Sequence, residues 1–182
     1  MKQVFMTRLG VALIFGIGVL VASMQPYPAQ AQVKDYSFHP VLIYSFVRYI
    51  EWPEDKDVRD FDIGIYTSDR NVVLNFEKMA ESKSSSSQRF TIHQFTNMDQ
   101  MPKDLDLIFI TENYNSSLEE ITKRYAGGTL IVTEKANALD NGSCINFVTR
   151  RGRPYFEINT GEIRARNMQV SQRLLDLSIN KR

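Results

Sequence analysis

Two histidines and one cysteine are the side chains of this sequence best suited to nucleophilic or metal chemistry. His39 and His93 stand far apart, and neither has a second ligand at metal-binding spacing. His39 precedes Pro40 near a helix start and His93 falls within a strand pattern, so no metal is expected at either. Cys144 and His93 could pair as nucleophile and base. No elbow motif surrounds Cys144, however, and its neighbours Ile145, Phe147 and Val148 read as core. A buried, inert thiol is the expectation. No glycine-rich loop opens a helix, and Gly127-Gly128 precedes a strand, where it serves as a helix stop. No catalytic residue, cofactor or metal is therefore assigned, and a hydrolase is the weakest functional reading.

Arginine offers a different chemistry. Five arginines fall at 150, 151, 153, 164 and 166, against Glu157 and Glu162. Arg150, Arg151, Arg153 and Arg166 form a candidate patch for an anionic ligand or an acidic partner, because guanidinium forks suit carboxylates and phosphates. The plainer reading is solvated surface. Six acids (Glu51, Glu54, Asp55, Asp57, Asp60, Asp62) cluster in the opposite sense, and the two runs could pair with each other. The densest aromatic run, Tyr44 to Pro53, holds the only Trp and reads first as core anchoring and second as an exposed binding patch.

The elements that must position these residues follow from periodicity. Ile43, Phe46, Val47 and Ile50 form one apolar stripe, which predicts a helix over 36–51 ended by Pro53. Alternation predicts a strand over 61–66, and Asp69 caps a helix from Arg70 to about Ser82. After the serine run at 84–87 come strands at 89–95 and 105–110, separated by a loop holding Pro102. Ser116 or Ser117 caps a helix through Tyr125, and a strand follows at 129–133. Residues 135–140 form a short helix or turn. Strands at 144–149 and 155–159 close a hairpin around Arg151-Gly152-Arg153-Pro154. One last helix is predicted from Gly161 to about Asn180. This pattern is α/β: a mixed, largely parallel sheet with helices on both faces, a C-terminal antiparallel hairpin and a closing helix.

The N-terminus reads as a secretory leader. Lys2 and Arg8 precede an uncharged apolar run from Leu9 to Ala22, and Ala29-Gln30-Ala31 is a small-x-small cleavage site. Cleavage is expected after Ala31, leaving residues 32–182 as one domain in the periplasm. Without Lys2 and Arg8 the chain holds 20 basic against 21 acidic residues, a net charge of −1, which gives no footprint for nucleic acid. A single cysteine makes no internal disulfide, so packing must supply the stability.

The run Phe46-Val47-Arg48-Tyr49-Ile50-Glu51-Trp52-Pro53 resembles the F-x-(K/R)-Y-(I/V/T)-x-W-P signature of the YfiR-like periplasmic proteins, a family of domains of unknown function (DUF4154). Phe61 to Ile65, Cys144 to Val148, Phe156 to Asn159 and Val170 to Leu175 resemble its later segments, in order over residues 36–178. Phe46, Tyr49, Trp52, Pro53, Asn159 and Arg173 are the marked positions, assigned to folding. The resemblance implies a non-enzymatic regulator, a homodimer, that binds the periplasmic part of an inner-membrane sensor or diguanylate cyclase in cyclic di-GMP signalling. An outer-membrane lipoprotein is the implied second partner. Some members carry paired cysteines; position 152, across the turn from Cys144, is Gly here, so a disulfide switch is unsupported. A periplasmic module holding a small anion at the arginines is the alternative.

Overall fold

The computed structural model describes residues 34–53 and 60–182. The leader, its cleavage site and Glu54, Asp55 and Asp57 lie outside the described residues. No helix among the described residues is long and apolar enough to cross a membrane.

Helix α1 (His39–Tyr49) begins later than the periodicity predicts, with Pro40 in its first turn, where a missing N–H costs nothing. It also ends earlier. Ile50 and Glu51 form β1 and pair with β8 (Gln169–Val170), so strand pairing stops the helix before Pro53 can. Its buried stripe, His39, Pro40, Ile43, Phe46 and Val47, faces the sheet core.

The main sheet has the order β3-β2-β4-β5-β6-β7-β9. Strands β2 (Asp60–Tyr66), β3 (Arg89–Phe95), β4 (Leu107–Ile110), β5 (Leu130–Thr133) and the start of β6 (Ile145–Arg150) run parallel. Strand β7 (Arg153–Ile158) returns antiparallel to β6, and β9 (Asn180–Lys181) joins β7 in parallel. The central strands β4 and β5 are buried along their whole length, as expected of strands covered on both faces.

Right-handed crossovers place the helices. The chain leaves β2 for β3 in one direction through α2 (Arg70–Lys83), then moves the other way through α3 (Leu118–Arg124), so these two helices cover opposite faces. Side-chain parity agrees. Phe109 and Phe147 face α1 and α2, with Phe76 at 5.7 Å from Phe109 and Phe46 at 5.7 Å from Phe147. Cys144, of the opposite parity to Phe147, is wholly buried beyond the other face, towards α4 (Thr160–Ala165). Asp69 caps α2 as predicted, accepting from the Asn71 N–H. Ser117 stands at the N-cap of α3 without bonding it; a 3-10 turn over Glu112–Ser117 precedes the helix, and the Ser117 hydroxyl lies 3.5 Å from that of Tyr66.

Gly64 has a tight environment. A Cβ there would stand 2.8 Å from Leu105 Cδ1 and 2.8 Å from the Phe95 ring. The close packing of β2 against both neighbours requires a missing side chain.

The single closing helix is a correction. The chain forms α4, then β8, then α5 (Gln172–Leu177), then β9. Asn167 adopts a left-handed φ of 59° and breaks the helix. Ser171 then donates its N–H to Tyr49 O and caps α5 through its hydroxyl. Pairing of β8 with β1 outweighs the helical periodicity of this segment.

Candidate functional site: an arginine-tipped arm

Strand β5 pairs with β6 only at Ile145 and Asn146, and β9 pairs with β7 only at Glu157 and Ile158. The hairpin from Phe147 to Phe156 therefore runs on past the sheet. Four residues on β6 at about 3.3 Å each extend it roughly 13 Å. Its turn is two residues long, and Arg151 (φ 51°) and Gly152 (φ 75°) both take the left-handed region. That is the twist a tight hairpin demands. Glycine accepts it freely; arginine at 151 does so at a cost of about 1–2 kcal/mol.

Phe147 and Phe156 seat the root of the arm. Both are buried, with the Phe46 ring 5.7 Å and 4.9 Å away respectively. Beyond them the arm is solvated. Arg150, Arg151 and Arg153 are exposed, and Tyr155 is 39% exposed. None of the three arginines has an ion-pair partner among the described residues. Of the acidic run, the described Asp60 and Asp62 do not reach them. Asp60 and Asp62 lie at the opposite end of the sheet, where Asp60 pairs with Arg89 at 2.8 Å and Asp62 with His93 at 2.6 Å. There they line a groove of about 620 Å³ with Asp104, Asp106, Lys103 and Arg124.

Arg166 does not join the patch. It is 4% exposed at the far end of β5 and β6, where its carbonyl accepts from Gly128 N–H. Its guanidinium donates to Tyr125 O and stands 4.0 Å from Glu162. This side chain ties α4 to the end of α3. Burial raises the neighbouring Cys144 thiol to about 11, against the opposing pull of Arg166. The thiol is therefore protonated and shielded, as its apolar neighbours suggested.

Under the arm lies a buried polar cluster that sequence reasoning missed. Glu134, just past β5, accepts from Tyr36 Oη at 2.9 Å and meets His39 Nε2 at 3.1 Å. His39 and Glu134 are both almost wholly buried. With Nε2–H donated to the carboxylate, His39 keeps a lone pair at Nδ1, which has no partner. A bare lone pair is cheaper to bury than a bare N–H, so the tautomer with its proton on Nε2 fits this site. The imidazole meets the Phe147 ring edge-to-face with centroids 4.5 Å apart, which links the cluster to the root of the arm. Burial and the Glu134, Glu112 and Asp69 carboxylates push the Tyr36 phenol far above its ordinary range. Only the separation of 95 and 98 residues kept these partners apart in the sequence; nothing local marks Glu134. Among the described residues, no group of three His, Cys, Asp or Glu could hold a metal ion.

The marked positions have structural places. Tyr49 lies under the Arg173 guanidinium at 5.2 Å. Trp52 donates to Val47 O at 3.3 Å and packs edge-on against Phe61 at 4.9 Å. Pro53 borders the acidic groove. Asn159 caps α4 by accepting from Glu162 N–H at 3.1 Å, and its amide donates to Leu139 O at 3.1 Å. Phe46 is fully buried. The aromatic run is thus mostly an anchor, with Tyr44, Tyr49 and Trp52 packed against the core at its margin.

Among curated proteins, none matches this chain. A solved structure, the conserved domain protein from Vibrio cholerae O1 biovar El Tor strain N16961, is similar in fold, with a TM-score of 0.53 at 9% identity. That similarity covers 82% of this chain and 60% of the Vibrio chain, so the present chain matches less than two thirds of its length. The family model DUF4154, described as YfiR/HmsC-like, matches residues 36–179. With its signature run anchoring α1 and its match spanning nearly every described element, the chain belongs to the YfiR/HmsC-like family.

Proposed function

We propose that this chain is a non-enzymatic periplasmic regulator, exported by a cleaved leader, that binds and restrains the periplasmic part of an inner-membrane signalling protein. The partner we assign is a diguanylate cyclase, with an outer-membrane lipoprotein as the competing binder. The observation that carries this reading is the arm: three exposed arginines, unpaired among the described residues, at the end of a hairpin rooted by buried Phe147 and Phe156, in a YfiR/HmsC-like chain. Exposed guanidinium groups steer and orient an acidic partner without any bond-making step. Binding that favours one state of a membrane protein is sufficient to bias its output.

The test is genetic and biochemical. Deleting the gene should raise cellular cyclic di-GMP, and the intact chain should restore it. The triple variant R150E/R151E/R153E should fold and be exported yet fail to restore it. Crosslinking in the periplasm should recover the cyclase with the intact chain and lose it with the variant. Unchanged cyclic di-GMP on deletion, with no membrane protein recovered, overturns the proposal.

A further inference from the structure

The tip of the arm is poorly made as a folding device. Arg150 and Arg153 are cross-strand partners. At the root of the hairpin Asn159 N–H bonds to Cys144 O, and the alternation that follows makes Arg150 and Arg153 a hydrogen-bonded pair, with Cα atoms about 5.5 Å apart. Like charges placed directly opposite each other weaken a hairpin. Arg151, next along, holds a left-handed φ of 51° at a position that a two-residue turn ordinarily gives to Asn or Asp. Among the described residues no acid pairs with these arginines. Glu157, on the same side of β7 as Arg153, stands four residues down the strand, about 13 Å away. Repulsion and backbone strain that the fold does not relieve by itself point to a bound counter-charge.

The arm also has two unlike sides. Partners in an antiparallel pair project to the same side, and successive pairs alternate. Thr149 and Pro154 share the side of buried Phe147 and Phe156. Arg150 and Arg153 share the other with half-buried Val148 and exposed Tyr155. That side therefore carries two guanidinium groups and, two residues or about 7 Å towards the root, an apolar seat. We infer that this side is a clamp for an extended acidic segment of the partner protein. The two guanidinium groups grip one carboxylate between them, and an apolar side chain two residues along the segment rests on Val148 and Tyr155. Residues two apart in an extended chain span the same distance of about 7 Å and point the same way, so spacing and charge match together. Arginine and tyrosine are also the side chains that carry much of the binding energy at protein interfaces. A phosphate-rich lipid surface would use the charge alone, taking Arg151 at the turn as readily as the other two and leaving the Tyr155 side without a role. The inference rests on the reading of the arm as the partner-binding element, and it names the side and the chemistry of that contact.

A photocrosslinking residue, p-benzoylphenylalanine, put in place of Tyr155 or of Thr149 in the exported chain tests the side. The first should capture the cyclase and the second should not. Mass spectrometry of the captured segment should find a carboxylate and an apolar residue two positions apart. Replacing that carboxylate by its amide should cut capture about tenfold or more, as should Arg150→Gln or Arg153→Gln. Both arginine variants remove the facing like charge, so their melting temperatures should hold or rise while capture falls; a merely structural role would move the two together. Arg151→Gly should weaken capture less than either. Equal capture from positions 149 and 155, a captured segment without an acid, or a loss on Arg151→Gly as large as on Arg153→Gln overturns the clamp and leaves the arm as a binding element. A chain that crosslinks to no protein yet sediments with phosphatidylglycerol vesicles overturns it in favour of the lipid. Capture from neither side, with unchanged cyclic di-GMP on deletion, overturns the reading of the arm itself.

Discussion

The Arg173 guanidinium lies over the Tyr49 ring at 5.2 Å, so the last turn of α1 is held by α5 across almost the whole length of the domain sequence. The contact is the outer partner of the β1–β8 pairing, in which Ile50 faces Val170 and Ser171 N–H bonds to Tyr49 O. Removing the guanidinium should therefore loosen a junction. Arg173→Ala is expected to lose about 0.5–1 kcal/mol, and Arg173→Lys less. Urea unfolding monitored by circular dichroism measures both.

The Glu134 cluster should be costlier to break. Glu134→Ala strips the acceptor from Tyr36 and His39 together and leaves a buried imidazole N–H with no partner. A loss of about 1–3 kcal/mol is expected from the unsatisfied imidazole N–H, with the lost Tyr36 hydrogen bond in addition, seen as a fall in melting temperature. Tyr36→Phe removes one donor from the same carboxylate and should cost about 1–2 kcal/mol.

Three raised acid groups, the Tyr36 and Tyr125 phenols and the Cys144 thiol, weaken the fold at alkaline pH. The Tyr36 phenol and the Cys144 thiol both hold their protons more tightly folded than unfolded. Above its ordinary value of 9.0 the unfolded thiol ionises while the folded one stays protonated to about 11, so the unfolded state gains. Tyr36 acts in the same direction above 10.0. Stability should be level through neutral pH and fall as pH rises past about 9. Cys144→Ala should remove the part of that fall between 9.0 and about 11.

The thiol should also be kinetically silent. A disulfide reagent should leave the native chain unmodified at neutral pH and react with one equivalent after denaturation, because the attacking species is the thiolate. Rapid reaction in the native chain would contradict the burial of Cys144.

Gly64 should resist substitution. Gly64→Ala drives a methyl into Leu105 and the Phe95 ring, and about 1–3 kcal/mol of destabilisation is expected. Gly152→Ala, with open space around its position, should cost only the left-handed backbone penalty of about 1–2 kcal/mol.

Strands β2 to β7, the Asp69 cap, the turn at Arg151-Gly152 and the burial of Cys144 were legible because each depends on neighbours within a few residues; β1, β8 and β9 were not. So was the anchoring role of Phe46, since its stripe is a property of one helix. The failures share a cause. The closing segment has helical periodicity, but Asn167 and the pairing of Val170 with Ile50 divide it, and that partner lies far back in the chain. Arg166 is near the other three arginines in sequence but not in space, being buried against Tyr125, so the patch loses it.

The sequence by itself determined which segments are apolar on which period, and therefore an α/β domain with a largely parallel sheet. It also determined which side chains carry charge. Only the tertiary structure decided which charges are free to act. It buried Arg166 between α3 and α4 and drew Glu134 onto Tyr36 and His39. It left Arg150, Arg151 and Arg153 on an arm beyond the sheet. Local pattern fixes the face a residue takes on its own element; the order of strands, chosen by the burial of the whole core, fixes what that face meets.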